Sequence, residues 1–227
     1  MIKIENTQVF GWDAAFRGMR NPKNSWDKAD SYWGFLEDPS PINPDDVMAF
    51  IIGPNDMKLA KMLSKAGNDH GKFLRMIHVQ CDITAPLYWW KEADTYKVGT
   101  VANSCSTMHK IHSKKFERDD FSHDHLAIGG MGLLDATITF LNQWRDYFNS
   151  DEIKREDSVY KKDCWWQMIQ SLPSSYNQRR TYDTNYAVLK NMYFARRDHK
   201  LDEWHEFCAW CESLPYFKEI VIQEDDA

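Results

Sequence analysis

The sequence predicts an α+β fold in one domain spanning residues 1–227. Three observations carry this. Stretches 126–148, 159–172, 185–197 and 201–213 place apolar residues at helical spacing. Residues 73–83 alternate with the two-residue period of a half-buried strand, and 1–10, 47–52 and 178–183 read as shorter strands. Helices and separated strands mixed in this way, with no internal repeat, suggest α+β.

Composition sets the outer limits. With 227 residues and 43% hydrophobic content, the chain can bury a sizeable core. Ten tryptophans are many, and most are expected to fill that core. The net charge is −6, and no dense Lys/Arg stripe exists, which argues against binding a nucleic acid polymer. A single nucleotide needs only a local pocket and stays possible. Five scattered cysteines (81, 105, 164, 208 and 211) do not form a disulfide framework. The N-terminal residues do not read as a signal peptide, and no apolar run is long enough for a membrane span. A cytoplasmic, reducing setting is expected.

Along the chain, 1–10 opens as a strand and 14–19 is a short helix. Residues 20–46 are rich in Pro, Asn and Asp and read as a long surface loop. Val47 starts a short apolar strand that Gly53-Pro54 breaks. Asn55 is the expected N-cap of a helix over 56–66, with Leu59, Met62 and Leu63 facing inward. The strand 73–83 follows, and Thr84-Ala85-Pro86 begins a helix through Trp90. Residues 99–108 are small and polar, which lets their backbone approach a ligand. Residues 113–124 are charged and expected to be exposed. Leu134, Ile138, Leu141, Trp144 and Phe148 form the apolar stripe of the longest helix. The glycines at 129, 130 and 132 weaken its first turns. After a charged connector at 151–157 come the helix 159–172, the strand 178–183 and the helices 185–197 and 201–213. A last strand or tail follows at 217–222.

One helix carries an oddity. Within 185–197, Val188, Leu189, Met192, Tyr193 and Ala195 share an apolar face, and Arg196 falls in the middle of it. Asn185 lies in line with it three turns earlier. A guanidinium cannot be neutralised, so one aimed inward needs an anionic partner or a ligand. The candidate internal partners are Asp183, Asp198 or a glutamate of the next helix. Asn185 also suits a plain N-cap.

Other chemical groupings are weaker. His109/His112, His123/His125 and His205-x-x-Cys208-x-x-Cys211 are local clusters, but none brings three or four ligands to one point, so no metal site is expected. The acidic pairs Asp45-Asp46 and Asp119-Asp120 and the tail Glu224-Asp225-Asp226 read as solvated charge.

The order of segments carries more information. Asp69-His70-Gly71-Lys72-Phe73 precedes a strand, which runs into Pro86-Leu87-Tyr88-Trp89-Trp90. Leu172-Pro173-Ser174-Ser175-Tyr176 and Asn185-x-x-x-Leu189, with Arg196 eleven residues after Asn185, come later. This order resembles the flavin-dependent thymidylate synthase (ThyX) family over most of residues 8–205. The resemblance implies a small, mostly antiparallel sheet packed with several helices. It implies that Asn185, Asn191 and His70 line FAD, and that Arg196 contacts the pyrimidine of dUMP and polarises it for methyl transfer. The family's Arg-His-Arg signature falls on Thr95-Tyr96-Lys97, which retains only the last positive charge. Its Ser-x-Arg-Tyr stretch falls near Ser106-Thr107-Met108, or one residue later, which makes Ser106 a substrate-binding candidate by resemblance while the phosphate-gripping Arg is missing; Lys97, Arg179, Arg180 and Arg197 are the substitutes the sequence offers. An active member would also use methylenetetrahydrofolate and NADPH, and would assemble as a homo-oligomer, tetrameric by resemblance. Two readings stand: a divergent flavin-dependent methyltransferase acting on dUMP or a related pyrimidine nucleotide, and an inactive scaffold of the same fold that binds a nucleotide or a protein partner.

Overall fold

The computed structural model describes residues 2–35, 48–150 and 158–223. The loop acids Asp45-Asp46, the connector 151–157 and the acidic tail from Glu224 lie outside the described residues.

In chain order the elements are β1 (Lys3–Phe10), α1 (Trp12–Arg20), β2 (Tyr32–Phe35), β3 (Met48–Ile51), α2 (Pro54–Lys65), β4 (His78–Pro86), α3 (Leu87–Ala93), β5 (Val101–Ser104), the single turn α4 (Thr107–Lys110), α5 (Ile128–Asn149), α6 (Ser158–Ser171), β6 (Asn177–Asn185), α7 (Tyr186–Arg196) and α8 (Asp202–Ser213). Short 3₁₀ turns at Asn21–Lys23, Trp26–Lys28, Gly71–Met76 and Arg118–Asp120 link them, and Lys218–Ile222 forms a π-helical turn. A four-stranded antiparallel sheet has the order β1-β4-β6-β5, and β2 pairs with β3. The expected α+β class is what the chain adopts.

The chain gathers into two compact units, one of residues 1–5, 82–95 and 102–182, the other of 6–81, 96–101 and 183–227. In the first, α5 packs on α6. Leu134, Leu141 and Met168 form a core with Ile111, Phe116 and Phe121, flanked by Ile138, Trp144 and Phe148. The helical stripe expected for α5 is therefore the core stripe. The charged residues of 113–124 are mostly exposed, as expected, but the segment is pinned to the core by two rings. Phe116 and Phe121 are buried, and Asn142 fixes the Phe116 backbone, accepting from its N–H and donating to its carbonyl, both at 2.9 Å. Two aromatic rings among ten polar residues are enough to pin the segment, because burying each is worth about 2–3 kcal/mol.

The second unit is centred on α7 and α8. Leu189, Met192, Trp204, Phe207 and Cys211 have no exposed surface. Tyr186 is buried as well, its hydroxyl donating to the Pro215 carbonyl at 2.6 Å. Of the ten tryptophans, Trp12, Trp89, Trp90 and Trp204 are buried, whereas Trp26 and Trp33 keep about half of their surface exposed, so fewer of them fill the core than expected.

Four local expectations are corrected. The strand read at 73–83 begins only at His78, since Gly71–Met76 is a 3₁₀ turn in which neighbouring Phe73 and Leu74 are both buried. The region read as loop from residue 20 contains β2, which pairs antiparallel with β3 from Tyr32–Ile51 to Phe35–Met48. The end at 217–222 is a π-helical turn, not a strand. Helix α2 starts at Pro54 and is not capped by Asn55. The Asp30 carboxylate reaches across instead, accepting from the N–H groups of Asn55 (2.8 Å) and Asp56 (2.9 Å). The inner face of α2 is accordingly Asp56, Ala60 and Ser64, and Met62 is exposed.

Asp56 is the reason that face can be polar. Its carboxylate accepts from Arg20 Nε at 2.7 Å, from Ser31 Oγ at 2.6 Å and from the backbone of Asp30 and Ser31. Both charged side chains are almost fully buried. Burial pushes the Asp56 carboxyl up, but the bonds from Ser31 and Arg20 and the Arg20 charge outweigh it, and the net direction is down. A carboxyl held below its unfolded value adds stability that is fully present above about pH 4 and is lost as pH falls through its folded value. We expect Asp56→Asn to cost about 3 kcal/mol in urea denaturation at pH 7, because it strands a buried guanidinium. The gap between wild type and variant should narrow below pH 4; a constant gap would refute the assignment.

Candidate functional site

The site residues are organised by the junction of β6 and α7. The strand ends at Asn185 and the helix starts at Tyr186, with no residue between. Asn185 keeps an extended φ of −147° and its Oδ1 accepts from the N–H groups of Ala187 and Val188, both at 3.1 Å. It thus satisfies two of the four donors that every helix start leaves open. Its amide donates to the carbonyl of Gly99 at 3.4 Å. Gly99 has φ +83°, and a Cβ there would sit 3.1 Å from Val188 Cγ2 and 3.2 Å from Asn185 Nδ2. Only glycine fits this conformation and this space. The small residues near 99 do permit a close approach, and what they approach is the start of α7.

The other end of α7 is held by the same loop. Arg196 Nε donates to the Tyr96 hydroxyl at 3.0 Å. The guanidinium lies 5.5 Å from the Tyr96 ring and 4.9 Å from the Trp204 ring. The two rings meet edge-on at 6.4 Å. Thr100 Oγ1 donates to the Tyr96 carbonyl at 3.0 Å and stiffens the turn. Residues 96–99 therefore form a strap pinned at both ends of α7. An eleven-residue helix is about 16 Å long, a span that three extended residues and a tyrosine side chain can cover.

Of the sequence-derived residues, the structure brings together Tyr96, Asn185 and Arg196. Arg196 is half-buried at the rim of the apolar face rather than in its centre. Two of its expected acidic partners are engaged elsewhere: Asp183 lies 3.8 Å from His78 Nδ1, and Asp198 lies 3.5 Å from Arg197. His70, Lys97 and Asn191 are exposed, and Thr95 is exposed with its hydroxyl donating to the Glu92 carbonyl. Cys208 and Cys211 are buried on α8 while His205 is exposed, so that set does not converge, and none of the five cysteines forms a disulfide.

Ser106 lies in the other compact unit. Its hydroxyl accepts from His109 N–H at 3.0 Å and caps α4. It also lines a cavity of about 390 Å³, together with Lys110, Ser113, Lys114, Lys115, Asp120 and Tyr176. Lys114 pairs with Asp120 at 2.9 Å, and that hydrogen bond holds its ammonium above the usual lysine range. Lys110 and Lys115 have no ion-pair partner among the described residues. Three ammonium groups against one carboxylate make this a cationic pocket in a chain of net charge −6. Sequence reasoning missed these lysines. Their signal was the spacing 110, 114, 115 just after Ser106, hidden by Glu117, Asp119 and Asp120 beside them.

Three of the four substitutes expected from sequence are occupied, and Lys97 is the exposed exception. Arg179 pairs with Asp82 at 2.8 Å. Arg180 pairs with Asp94 at 2.8 Å and stacks on Trp90 at 4.1 Å. Arg197 lies over Phe194.

A flavin needs ring-edge hydrogen bonds and cations for its phosphates. Both acceptor positions of the Asn185 oxygen are filled by α7, and one of its amide hydrogens points to Gly99. Tyr96 serves Arg196. Of the flavin-directed residues, Asn185 and Tyr96 are thus engaged within the chain, while His70, Lys97 and Asn191 are exposed.

No protein-family model matches this chain, and no curated protein sequence matches it. Solved structures do. Thymidylate Synthase X (ThyX) from Helicobacter pylori with FAD and dUMP matches with a TM-score of 0.62 and 16% identity, covering 100% of this chain and 98% of that one. Flavin dependent thymidylate synthase ThyX from Helicobacter pylori complexed with FAD and dUMP matches with a TM-score of 0.59 and 15% identity, covering 99% and 98%. At such identity the likeness shows the fold.

The junction yields a test. Asn185→Ala should cost about 1 kcal/mol, a fall of roughly 2–4 °C in Tm, because it uncaps α7. Gly99→Ala should cost at least as much through its positive φ. An unchanged Tm for both would show that the strap is not anchored there.

Proposed function

We propose that this chain uses its ThyX fold to bind a pyrimidine nucleotide such as dUMP, with the 5′-phosphate in the lysine-lined cavity at Ser106. The observation that carries this is the cavity itself. Ser106, which the resemblance assigns to the substrate, opens onto a pocket with a surplus of ammonium groups. A phosphate dianion gains charge-assisted hydrogen bonds there from Lys110 and Lys115. Lysine is a flexible point charge and lacks arginine's planar fork, so this pocket binds phosphate with less directional selectivity and with strong salt dependence.

A second reading adds chemistry: methyl transfer to the base, with FAD, methylenetetrahydrofolate and NADPH, in a homo-oligomer. It is favoured by the near-complete coverage of structures that hold both FAD and dUMP. A bound flavin would supply the hydride. The engagement of Asn185 and Tyr96 within the chain itself favours nucleotide binding without flavin.

Thermal shift with dUMP and with FAD separates these readings. Saturating dUMP at about 100 times its Kd should stabilise the protein by roughly 2.7 kcal/mol. Lys110→Ala combined with Lys115→Ala should weaken dUMP binding about tenfold, roughly one lost charge-assisted bond. A yellow purified protein, or a Tm raised by FAD, would establish the flavin reading. No response to dUMP would sink the nucleotide proposal.

A further inference from the structure

We infer that the ring of the bound nucleotide lies in a second cavity of the same compact unit, where the side-chain amide of Gln143 reads its imide edge. This rests on the phosphate placement proposed above and deepens it.

The second cavity has a volume of about 850 Å³ and adjoins the lysine cavity, since Lys115 and Phe116 line both. Its lining falls wholly in the unit that holds Ser106. Residues 115–118 form one wall, and α5 forms the other through Ile138, Thr139, Asn142, Gln143, Asp146 and Tyr147. Steps of three and four residues put these six on one face of the helix. Asn142 ties the walls together by bonding both the N–H and the carbonyl of Phe116.

Charge distinguishes the two cavities. The smaller one gathers Lys110, Lys114 and Lys115 against Asp120. The larger one balances Lys115 and Arg118 against Glu117 and Asp146. Arg118 is already forked onto Asp135 at 2.7 and 2.6 Å, and Asp146 accepts from Arg145 at 2.6 Å. A ligand that fills both therefore has an anionic end and an uncharged body, because a charge on the body would be desolvated without a surplus of opposite charge.

Gln143 selects the kind of body. Its Nε2 donates to the Tyr147 hydroxyl at 3.2 Å, and Trp144 meets the Tyr147 ring edge-on at 5.6 Å. A carboxamide carries two N–H donors and one acceptor oxygen. With one N–H engaged by Tyr147, one N–H and Oε1 remain, with no partner among the described residues, on an exposed side chain. A donor and an acceptor side by side match the adjacent N–H and carbonyl of a cyclic imide, the N3 edge of uracil. Half-buried Ile138 gives the ring an apolar surface one turn away.

Gln143→Leu removes the amide, keeps most of the bulk and should leave Tm close to wild type, because the position is exposed. Titration calorimetry with dUMP, with its N3-methyl derivative and with 2-deoxyribose 5-phosphate, which lacks the base, reads the contact. Wild type should bind dUMP about tenfold more tightly than the N3-methyl derivative, the value of roughly one hydrogen bond. Gln143→Leu should bind dUMP about tenfold more weakly, bind 2-deoxyribose 5-phosphate as before and lose the discrimination against the N3-methyl group. Equal weakening of all three ligands would overturn the inference by showing a structural role. If wild type binds none of the three, the phosphate placement and this inference fall together. If Lys110→Ala combined with Lys115→Ala weakens dUMP while Gln143→Leu matches wild type, only this inference falls.

Discussion

The capping of α7 by Asn185 is the interaction on which the candidate site depends. Strand β6 turns directly into helix α7, so no loop is available to absorb the unpaired N–H groups at the helix start. Asn185 supplies the acceptor, and in doing so it turns its amide toward Gly99. That contact anchors one end of the 96–99 strap. With Gly99 in place, Tyr96 falls over the last turn of α7, where Arg196 donates to it. The direction of the helix, the course of the strap and the setting of the arginine therefore follow from one side chain that bonds at once to the helix ahead of it and to the loop beside it.

The cations of this chain are divided by type. The arginines hold structure together: Arg20 is buried on Asp56, Arg118 forks onto Asp135, Arg179 and Arg180 pair with Asp82 and Asp94, and Arg196 lies on two rings. A planar guanidinium suits such work, because it can stack and hydrogen-bond in the same geometry. Lys110 and Lys115, both exposed, remain at the Ser106 cavity. On the proposed reading, a phosphate pocket built from them would keep the charge of an arginine site and give up its bidentate register. This division explains how the Thr95-Tyr96-Lys97 stretch can lack the signature arginines while the chain keeps a cationic pocket.

Wherever one periodicity dominated, the elements were legible. The α5 stripe of Leu134, Ile138, Leu141, Trp144 and Phe148 is the core stripe because a helix that long has no other way to bury five large side chains. Helices α7 and α8 fall within a residue or two of their expected ends. Misreadings arose where a distant residue decided the local structure. Asp30 caps α2, so the nearer Asn55 is idle. Strand β2 forms because β3 pairs with it, in a region whose prolines and polar residues signal only loop. Leu74 beside Phe73 is buried on both sides, which no strand alternation allows.

The site divides along the same line. By itself the sequence determined the α+β class, the helical face around Leu189 and Met192, and the alignment of Asn185 with Arg196, because these depend on spacing along a single element. The tertiary structure decided what those residues touch. Asn185 caps its own helix and holds Gly99, Arg196 meets Tyr96 from a loop one hundred residues earlier, and Ser106 opens onto lysines whose neighbours in sequence are acidic. Hydrogen bonds and cation–ring contacts act over a few ångströms in space, whatever the separation along the chain, and only the folded backbone sets those distances.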